Sequence, residues 1–392
     1  MTQKKQKFFI DASPLASPRS SGVGHSVHGF ITGLISNKDF LERYNLYLVA
    51  PIKGMRYVRE YNFPNVRYIP IPLLARIWNR LPGTPLMPYM DVLLGKGVYF
   101  LTNFRSWPLI SSKSITLVHD IAFRLYPDSL THRHRSFLEH QVALWKARST
   151  VIATVSASAK RDIHEHLGID NNRIVVLHNG VDTKKFYPRS KEQVEVLRQK
   201  YDLPDAYVLY VGNLEPRKNL NRVLQAYLDL PDALRNSHGL VLVGGSSWLG
   251  DDLYKKIEKA VASGANIVHP QTYVSDDELP GIYSGASMLA WPALHEGFGM
   301  PILEAMACGV PVLTADNSSL PEVAGDAALL VDAESEDEIR AGMERLLTDI
   351  KLRVRLIKAG HERVAHFTWA DTARQLVKLA DQLLGRNAAG VV

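Results

Sequence analysis

Two carboxylates eight residues apart, Glu296 and Glu304, have the setting that most invites chemistry. They lie in Trp291–Val312, WPALHEGFGMPILEAMACGVPV, with Gly297, Gly299 and Pro301 between them. One continuous helix would place them about 80° apart on its surface. Two glycines and a proline break the first half of any such helix. The pattern predicts a strand over SMLAWP, a loop over HEGFGM and a helix through LEAMAC. Pro301 is expected at the first helical position, where its missing N–H costs nothing. Gly309 and Pro311 end the helix. Backbone N–H groups at such a helix start suit an anion, and glycines let a ligand come close to the chain. An anionic ligand that carries hydroxyls would use all of this, the dipole for phosphate and the carboxylates for sugar hydroxyls. A packing turn with two solvated glutamates fits the same spacing.

Three further groups can join that chemistry. Arg217 and Lys218, in EPRKN, follow the strand AYVLYVG and precede the helix NRVLQAYL. Adjacent cations at a strand's carboxyl end suit a diphosphate, Arg as a bidentate fork and Lys as a point charge. The plain alternative is a surface pair. His119 and Asp120 come directly after ITLV, at another strand end; the alternative there is a satisfied core histidine. Gly22 and Gly24 open a helix whose Val27, Phe30, Ile31 and Leu34 recur at helical spacing. Their spacing is not a dinucleotide fingerprint, but a strand, glycine loop and helix fit one face of a phosphate or sugar cleft. The sequence has no Asp-x-Asp, no Cys/His cluster with metal spacing, no Walker loop and no Gly-x-Ser-x-Gly. It calls for no metal and no cofactor. Charge on a departing diphosphate must then be met by Arg217, Lys218 and helix dipoles.

The elements that position these residues alternate. Strand-like runs recur at FFID, NLYLVA, VRYIPIP, VYFLTN, SITLVHD, TVIATVS and RIVVLHNG, with helical runs among them, such as Thr131–Lys146. After HNGVDTKKFYPRS the alternation starts again with AYVLYVG, GLVLVGG, NIVHP, SMLAWP, PVLTAD and AALLVD. This is the signature of α/β folding with parallel sheets, whose ligands bind beyond the carboxyl ends of the strands. A chain of 392 residues has room for two such domains. Two Rossmann-like halves in tandem are expected, with a small-molecule cleft between them.

Charge is divided between the halves. Residues 1–186 hold 25 Lys and Arg against 12 Asp and Glu, a net of +13, and the other 206 hold 21 against 28, a net of −7. A basic half fits a phosphate-rich partner, whether nucleic acid, anionic lipid or a polyanionic substrate, and a solvated surface without a partner is the alternative. In 73–90, LLARIWNRLPGTPLMPYM, Leu74, Ile77, Trp78 and Leu81 form an apolar stripe beside Arg76 and Arg80. That composition fits an interfacial segment on anionic membrane, or an amphipathic helix packed on its own domain. No apolar run reaches the ~18 residues of a membrane span, and the N-terminal run is too short for a signal peptide. The single cysteine, Cys308, excludes an internal disulfide and suits a reducing compartment. The expected place is the cytoplasm, with a peripheral seat on the cytoplasmic face of the membrane.

GNLEPRKN, YVSDDEL, EGFGMPILEAMACGVPV and SSLPEVAGDAALLVD, in this order, resemble the retaining glycosyltransferases of family 4. VHD and VLHNGVDTKKFYP extend the resemblance over nearly the whole chain. It implies a GT-B fold, with an acceptor domain over 1–187, a nucleotide-sugar donor domain over 188–367 and a last segment, 368–392, that returns to the first. It implies that Glu296 holds the donor sugar's hydroxyls, helped by the backbone of Phe298, Gly299, Met300 and Pro301, the first three through their N–H groups. Glu304 would bind the ribose, Arg217 and Lys218 the diphosphate, and Tyr273 and Val274 would flank the base. Gly22 and Gly24 would line the phosphate side, and His119 and Asp120 would sit by the sugar and acceptor. Many members carry Arg where this chain has Asn213, and Arg217 is placed to supply that charge. The forms EPRKN and HD look most like mannosyltransferases of bacterial polysaccharide assembly. The implied partners are a GDP- or UDP-sugar and a glycan or lipid-linked acceptor, with no nucleic acid polymer. The implied reaction is metal-independent transfer of mannose from GDP-mannose with retention. A UDP-sugar transferase, a nucleotide-sugar epimerase or hydrolase of the same fold, and a non-catalytic binding module are the alternatives.

Overall fold

A computed structural model describes residues 4–18, 21–71, 88–127, 131–245, 251–270 and 273–386. The apolar stripe of Leu74, Ile77, Trp78 and Leu81, with Arg76 and Arg80 beside it, lies outside them. The described residues pack as two compact units. One is drawn from Met1–Arg124, Thr131–Gly180 and Thr368–Val392, the other from Leu125–Leu130 and Val181–Phe367. The chain thus passes between units at Gly180, seven residues before the boundary expected at 187.

The first unit is built on seven described strands: β1 Gln6–Asp11, β2 Tyr44–Pro51, β3 Val66–Ile71, β4 Val98–Leu101, β5 Lys113–Leu117, β6 Val151–Thr154 and β7 Ile174–Val176. They lie side by side in the order β3-β2-β1-β4-β5-β6-β7, each pair parallel. Parallel neighbours need crossovers, and helices supply them: α1 Gly22–Ser36, α2 Met90–Leu94, α3 His132–Arg148 and α4 Ala157–Leu167. The strands read as unbroken apolar runs because both faces are covered. Phe9 shows the packing: on β1, its ring stacks on Tyr47 of β2 at 5.0 Å and Tyr99 of β4 at 4.4 Å.

The second unit repeats the plan with β8 Tyr207–Val211, β9 Gly239–Val243, β10 Ile267–Val268, β11 Met288–Trp291, β12 Val312–Ala315 and β13 Ala328–Val331. Their order is β10-β9-β8-β11-β12-β13, again all parallel. Helix α5, Leu220–Leu228, follows β8, and α6, Met300–Ala307, follows β11. The strand order turns back between β8 and β11, so the loops after these two strands flank a topological switch point, where open α/β sheets bind ligands.

The last helix, α7 Trp369–Leu383, lies on α1 of the first unit. Gly29 and Gly33 clear a path for it: a Cβ at Gly29 would meet the Trp369 ring at 2.0 Å, and one at Gly33 the Trp369 carbonyl oxygen at 2.4 Å. Its far end is tied by buried Asp381, which accepts from the Tyr44 hydroxyl at 2.7 Å and pairs with Arg43.

Candidate active site

In the second unit the loop after β11 and the loop after β8 are joined by a buried charge cluster. Glu296 is 7% exposed. One of its oxygens accepts from Lys218 Nζ and the other lies 3.5 Å from Arg217 Nη1. Arg217 also donates to Glu215 at 3.1 Å and to the His295 carbonyl at 3.2 Å. Lys218 Nζ sits 5.1 Å from the ring of Trp291, the last residue of β11. Burial depresses the Lys218 ammonium pKa, Arg217 adds to this, and the Glu296 carboxylate works against it. Two cations and two carboxylates, Glu296 buried and the other three half-buried, at a switch point make a site that can exchange an internal counterion for an external anion.

Residues 78 apart in sequence meet here because of Asn219, which the sequence reading did not single out. It adopts a left-handed backbone, φ 63°, and closes the turn Pro216–Lys218. Its buried side-chain amide donates to the carbonyls of Pro292 at 2.8 Å and Ala333 at 2.7 Å. Leu294 N–H donates to the Arg217 carbonyl at 2.9 Å. Asparagine tolerates this backbone and brings two donors, so one residue shapes the turn and clips it to the neighbouring loop. Ser319 ties the glutamate loop differently, its single hydroxyl proton shared between the carbonyl oxygens of Glu296 at 2.8 Å and Phe298 at 3.0 Å. The signals were the Asn of EPRKN and the Ser pair of SSLPE.

The strand, loop and helix expected around the two glutamates are present, with one correction. Met300, not Pro301, is the first residue of α6, and Pro301 is the second. Gly299 precedes it with φ 99°, a conformation that glycine supplies without strain. Pro301 has no N–H, so the anion-facing donors of this turn come from the residues before it. Ile302 N–H turns back to the Gly299 carbonyl at 3.1 Å.

Glu304 projects from the same helix into different company. It is 6% exposed and accepts from the Tyr283 hydroxyl at 2.9 Å. Burial raises its pKa to about 7; the Tyr283 hydrogen bond and the charge of Lys185 oppose this, and Asp276 adds to it. Buried Cys308, one helical turn on, has its thiol pushed up to about 12 by burial and by Glu304. Tyr283 was not foreseen. Tyr273 is exposed and Val274 half-buried, in the segment between β10 and the helix Leu279–Gly285.

The remaining candidates belong to the first unit. His119 follows β5 and is buried, its ring 5.9 Å from that of Phe104. Burial lowers its pKa to about 4, against the pull of Asp120 and of a hydrogen bond to the Thr102 backbone. At neutral pH it is an uncharged imidazole whose Nε2 is buried without a hydrogen-bond partner. Asp120 accepts from the Ala122 N–H at 3.0 Å. Gly22 is the exposed first residue of α1, and the Gly24 N–H donates to the capping Ser21 hydroxyl at 3.1 Å.

Comparison with known proteins identifies the family and the fold. Residues 193–363 match the family "Glycosyl transferases group 1" and residues 21–185 match "Glycosyltransferase Family 4". O-antigen chain mannosyltransferase B of Escherichia coli is 33% identical over 266 residues, 68% of this chain and 69% of that protein. Serotype-specific mannosyltransferase WbdA of Escherichia coli is 29% identical over 275 residues, 69% of this chain and 34% of that larger protein. Among solved structures, Anabaena Alr3699/HepE in complex with UDP and glucose superposes with a TM-score of 0.72 at 16% identity, covering 96% of this chain and 100% of that one. WaaG, a glycosyltransferase involved in lipopolysaccharide biosynthesis, gives 0.69 at 18% identity, covering 97% and 100%. The chain belongs to glycosyltransferase family 4 and has the GT-B fold, two Rossmann-like domains each built on a parallel sheet.

Proposed function

We propose that the protein transfers mannose from GDP-mannose to a glycan or lipid-linked acceptor in the assembly of a bacterial surface polysaccharide, with retention of anomeric configuration. The observation that carries this reading is the buried Glu296 held by Lys218 and Arg217. An incoming diphosphate would take over the two cations and release the Glu296 carboxylate to the hydroxyls of the donor sugar. The backbone of Phe298, Gly299 and Met300 would meet the same ligand, Glu304 the ribose, and Tyr273 and Val274 the base. The likeness to O-antigen chain mannosyltransferase B supports mannose as the sugar.

In this reading the donor is served by 188–367, and 1–187 with 368–392 serves the acceptor. Gly22 and Gly24 would face phosphate and His119 the acceptor, its neutral imidazole able to hold a hydroxyl without adding charge. The bond from the anomeric carbon to the diphosphate oxygen breaks, and the acceptor oxygen bonds to that carbon on the same face. The acceptor's proton goes to the departing diphosphate. Arg217 and Lys218 would stabilise the negative charge that develops there. No metal is assigned a role, since the sequence has no Asp-x-Asp. Among the described residues no helix is long and apolar enough to cross a membrane, and the basic half supports a reversible seat on an anionic membrane.

The test is transfer from a panel of nucleotide sugars to an oligomannose acceptor, with the product's anomeric proton read by NMR. GDP-mannose should be the productive donor and the product should be the α-anomer. Turnover confined to UDP-sugars would overturn the donor, and a β-product would overturn retention.

A further inference from the structure

All seven strands of the first sheet run the same way, so their starting ends share one edge. Each strand has Lys or Arg at its first two residues or within the three before it: Lys5 and Lys7, Arg43, Arg67, Lys96, Lys113, Arg148 and Arg173, taken from β1 to β7. With Lys4 these windows hold nine basic residues against one acid, Glu42. The second sheet is an internal control, having the same parallel architecture in the same chain. Its six windows hold no Lys or Arg and two acids, Asp205 and Asp326. Nothing in parallel-sheet construction therefore demands the row of cations. Helix ends nearby favour some of them, Arg43 and Arg148 in particular, but helices end at the second sheet's edge as well.

Among the described residues these charges are largely uncancelled, although Arg148 is half-buried with its Nη1 shielded from solvent. Lys5 donates to the Leu41 carbonyl at 2.5 Å and Lys7 to the Leu94 carbonyl at 3.0 Å. Arg173 donates to the Ser149 carbonyl at 2.6 Å and Arg67 to the Tyr47 hydroxyl at 3.1 Å. Such acceptors fix side chains without neutralising them. Arg43 is the exception, paired with Asp381 and 3.8 Å from Asp39. Six steps between strands, at ~4.8 Å each, make the row about 29 Å long.

An apolar group sits at the middle of this edge, where the chain enters β4 and β5. Val92 is 69% exposed, Ile110 64%, Leu93 57% and Tyr89 48%. Buried Asp91 holds them together: it lies on α2 and accepts the N–H groups of Ile110, Ser111 and Ser112 at 3.0, 2.9 and 2.9 Å. The local acid is thus spent on backbone, and aliphatic side chains are presented outward beside exposed Lys96 and Lys113.

We propose that this starting edge of the first sheet is the surface on which the protein docks to an anionic lipid bilayer, the cation row meeting headgroups and Val92, Leu93 and Ile110 entering among them. The inference rests on the membrane seat proposed above and names the surface that makes it. Bilayer lipid is favoured over other polyanions because it alone rewards burial of exposed aliphatic chains as well as charge. The geometry has a consequence. His119 lies past the opposite end of β5, about 20 Å from Lys113 along the strand direction. A sugar reached by His119 would stand several residues away from the lipid that anchors it.

Vesicle sedimentation tests this without reference to transfer. Wild type should bind vesicles of phosphatidylglycerol and phosphatidylcholine, release them at ~0.5 M salt, and ignore pure phosphatidylcholine. Two variants, Val92→Gln/Leu93→Gln/Ile110→Gln and Lys96→Glu/Lys113→Glu, should each bind about tenfold more weakly, with unchanged thermal midpoints because the residues are exposed. No binding by wild type, or wild-type binding by either variant, would overturn the proposal. Loss in the lysine variant alone would reveal a general polyanion surface. Transfer from GDP-mannose to a soluble acceptor should be the same in all three proteins, so failure of the donor assignment would show in that assay and not in sedimentation.

Discussion

Glu296 and Glu304 differ in partners, and their variants should differ in kind. The ribose is unchanged by reaction, so Glu304→Ala should chiefly raise the donor KM. The sugar ring gains positive charge as its bond to diphosphate breaks, so Glu296→Ala should chiefly lower kcat, by ~100-fold or about 2.7 kcal/mol. The sugar-holding role that the family resemblance implies for Glu296 would leave free GDP indifferent to it. The ion pairs to Lys218 and Arg217 reverse this: Glu296→Gln removes an internal competitor, and calorimetry should find GDP bound several-fold more tightly. Weaker binding would mean that Glu296 instead holds the cations in place for the diphosphate. Glu304 also carries a pH signature. Its folded pKa of about 7 exceeds that of an unfolded glutamate because burial disfavours the charged form. The folded state therefore binds the extra proton, and stability falls as pH rises from ~4.5 through ~7. Denaturant titrations across that window should show the fall in wild type and a shallower one in Glu304→Gln, a difference of order 3 kcal/mol if Tyr283 does not rearrange. Equal slopes would show that the carboxyl is not the titrating group.

At the scale of elements, two backbone features decide whether the site forms. Gly299 turns the loop into α6 with φ 99°, and a Cβ there would also lie 3.0 Å from Leu320. Gly299→Ala should cost about 1–3 kcal/mol and raise the donor KM, as thermal melts and kinetics would show together. The seat of α7 rests on Gly33. A methyl group there would meet the Trp369 carbonyl oxygen at 2.4 Å, and backbone cannot swing aside as a side chain can. Gly33→Ala gains helix propensity of ~1 kcal/mol but forces α1 and α7 apart, a net loss of about 1–2 kcal/mol. A stability at or above wild type would show that the two helices slide freely. The amphipathic stripe of α7 could be read from its sequence, and its partner could not, because any apolar helix face would satisfy it. Gly29, Gly33 and Trp369, far apart in the chain, decide the choice by shape.

For the whole molecule, the sequence has no Asp-x-Asp to hold a cation, and the charge of the leaving group falls to Arg217 and Lys218. Transfer should therefore survive excess EDTA. Activity lost on chelation and restored by manganese or magnesium would overturn that division of labour. The two sheets are built alike, yet one edge of the first is rimmed with cations and the matching edge of the second has none. Their common architecture reflects the need to bury parallel strands on both faces, and the difference reflects what each exposes.

The alternation of apolar runs with helical stripes determined the α/β class, because hydrophobic burial at periods of 2 and 3.6 is a local property that a single sequence displays. The glycine loop before a helix was legible for the same reason: φ above zero and the close of a helix are demands on single residues. Contacts across 78 residues were not legible. Lys218 meets Glu296 only because β8 and β11 are neighbours at the turning point of the sheet and Asn219 clips their loops together. The high pKa of Glu304 and the low one of His119 come from burial, a property of the packed molecule that neither residue carries in the chain. Residue types set which chemistry was available; the tertiary structure decided which groups are buried and beside which others, where the loss of water makes each charge depend on its neighbours.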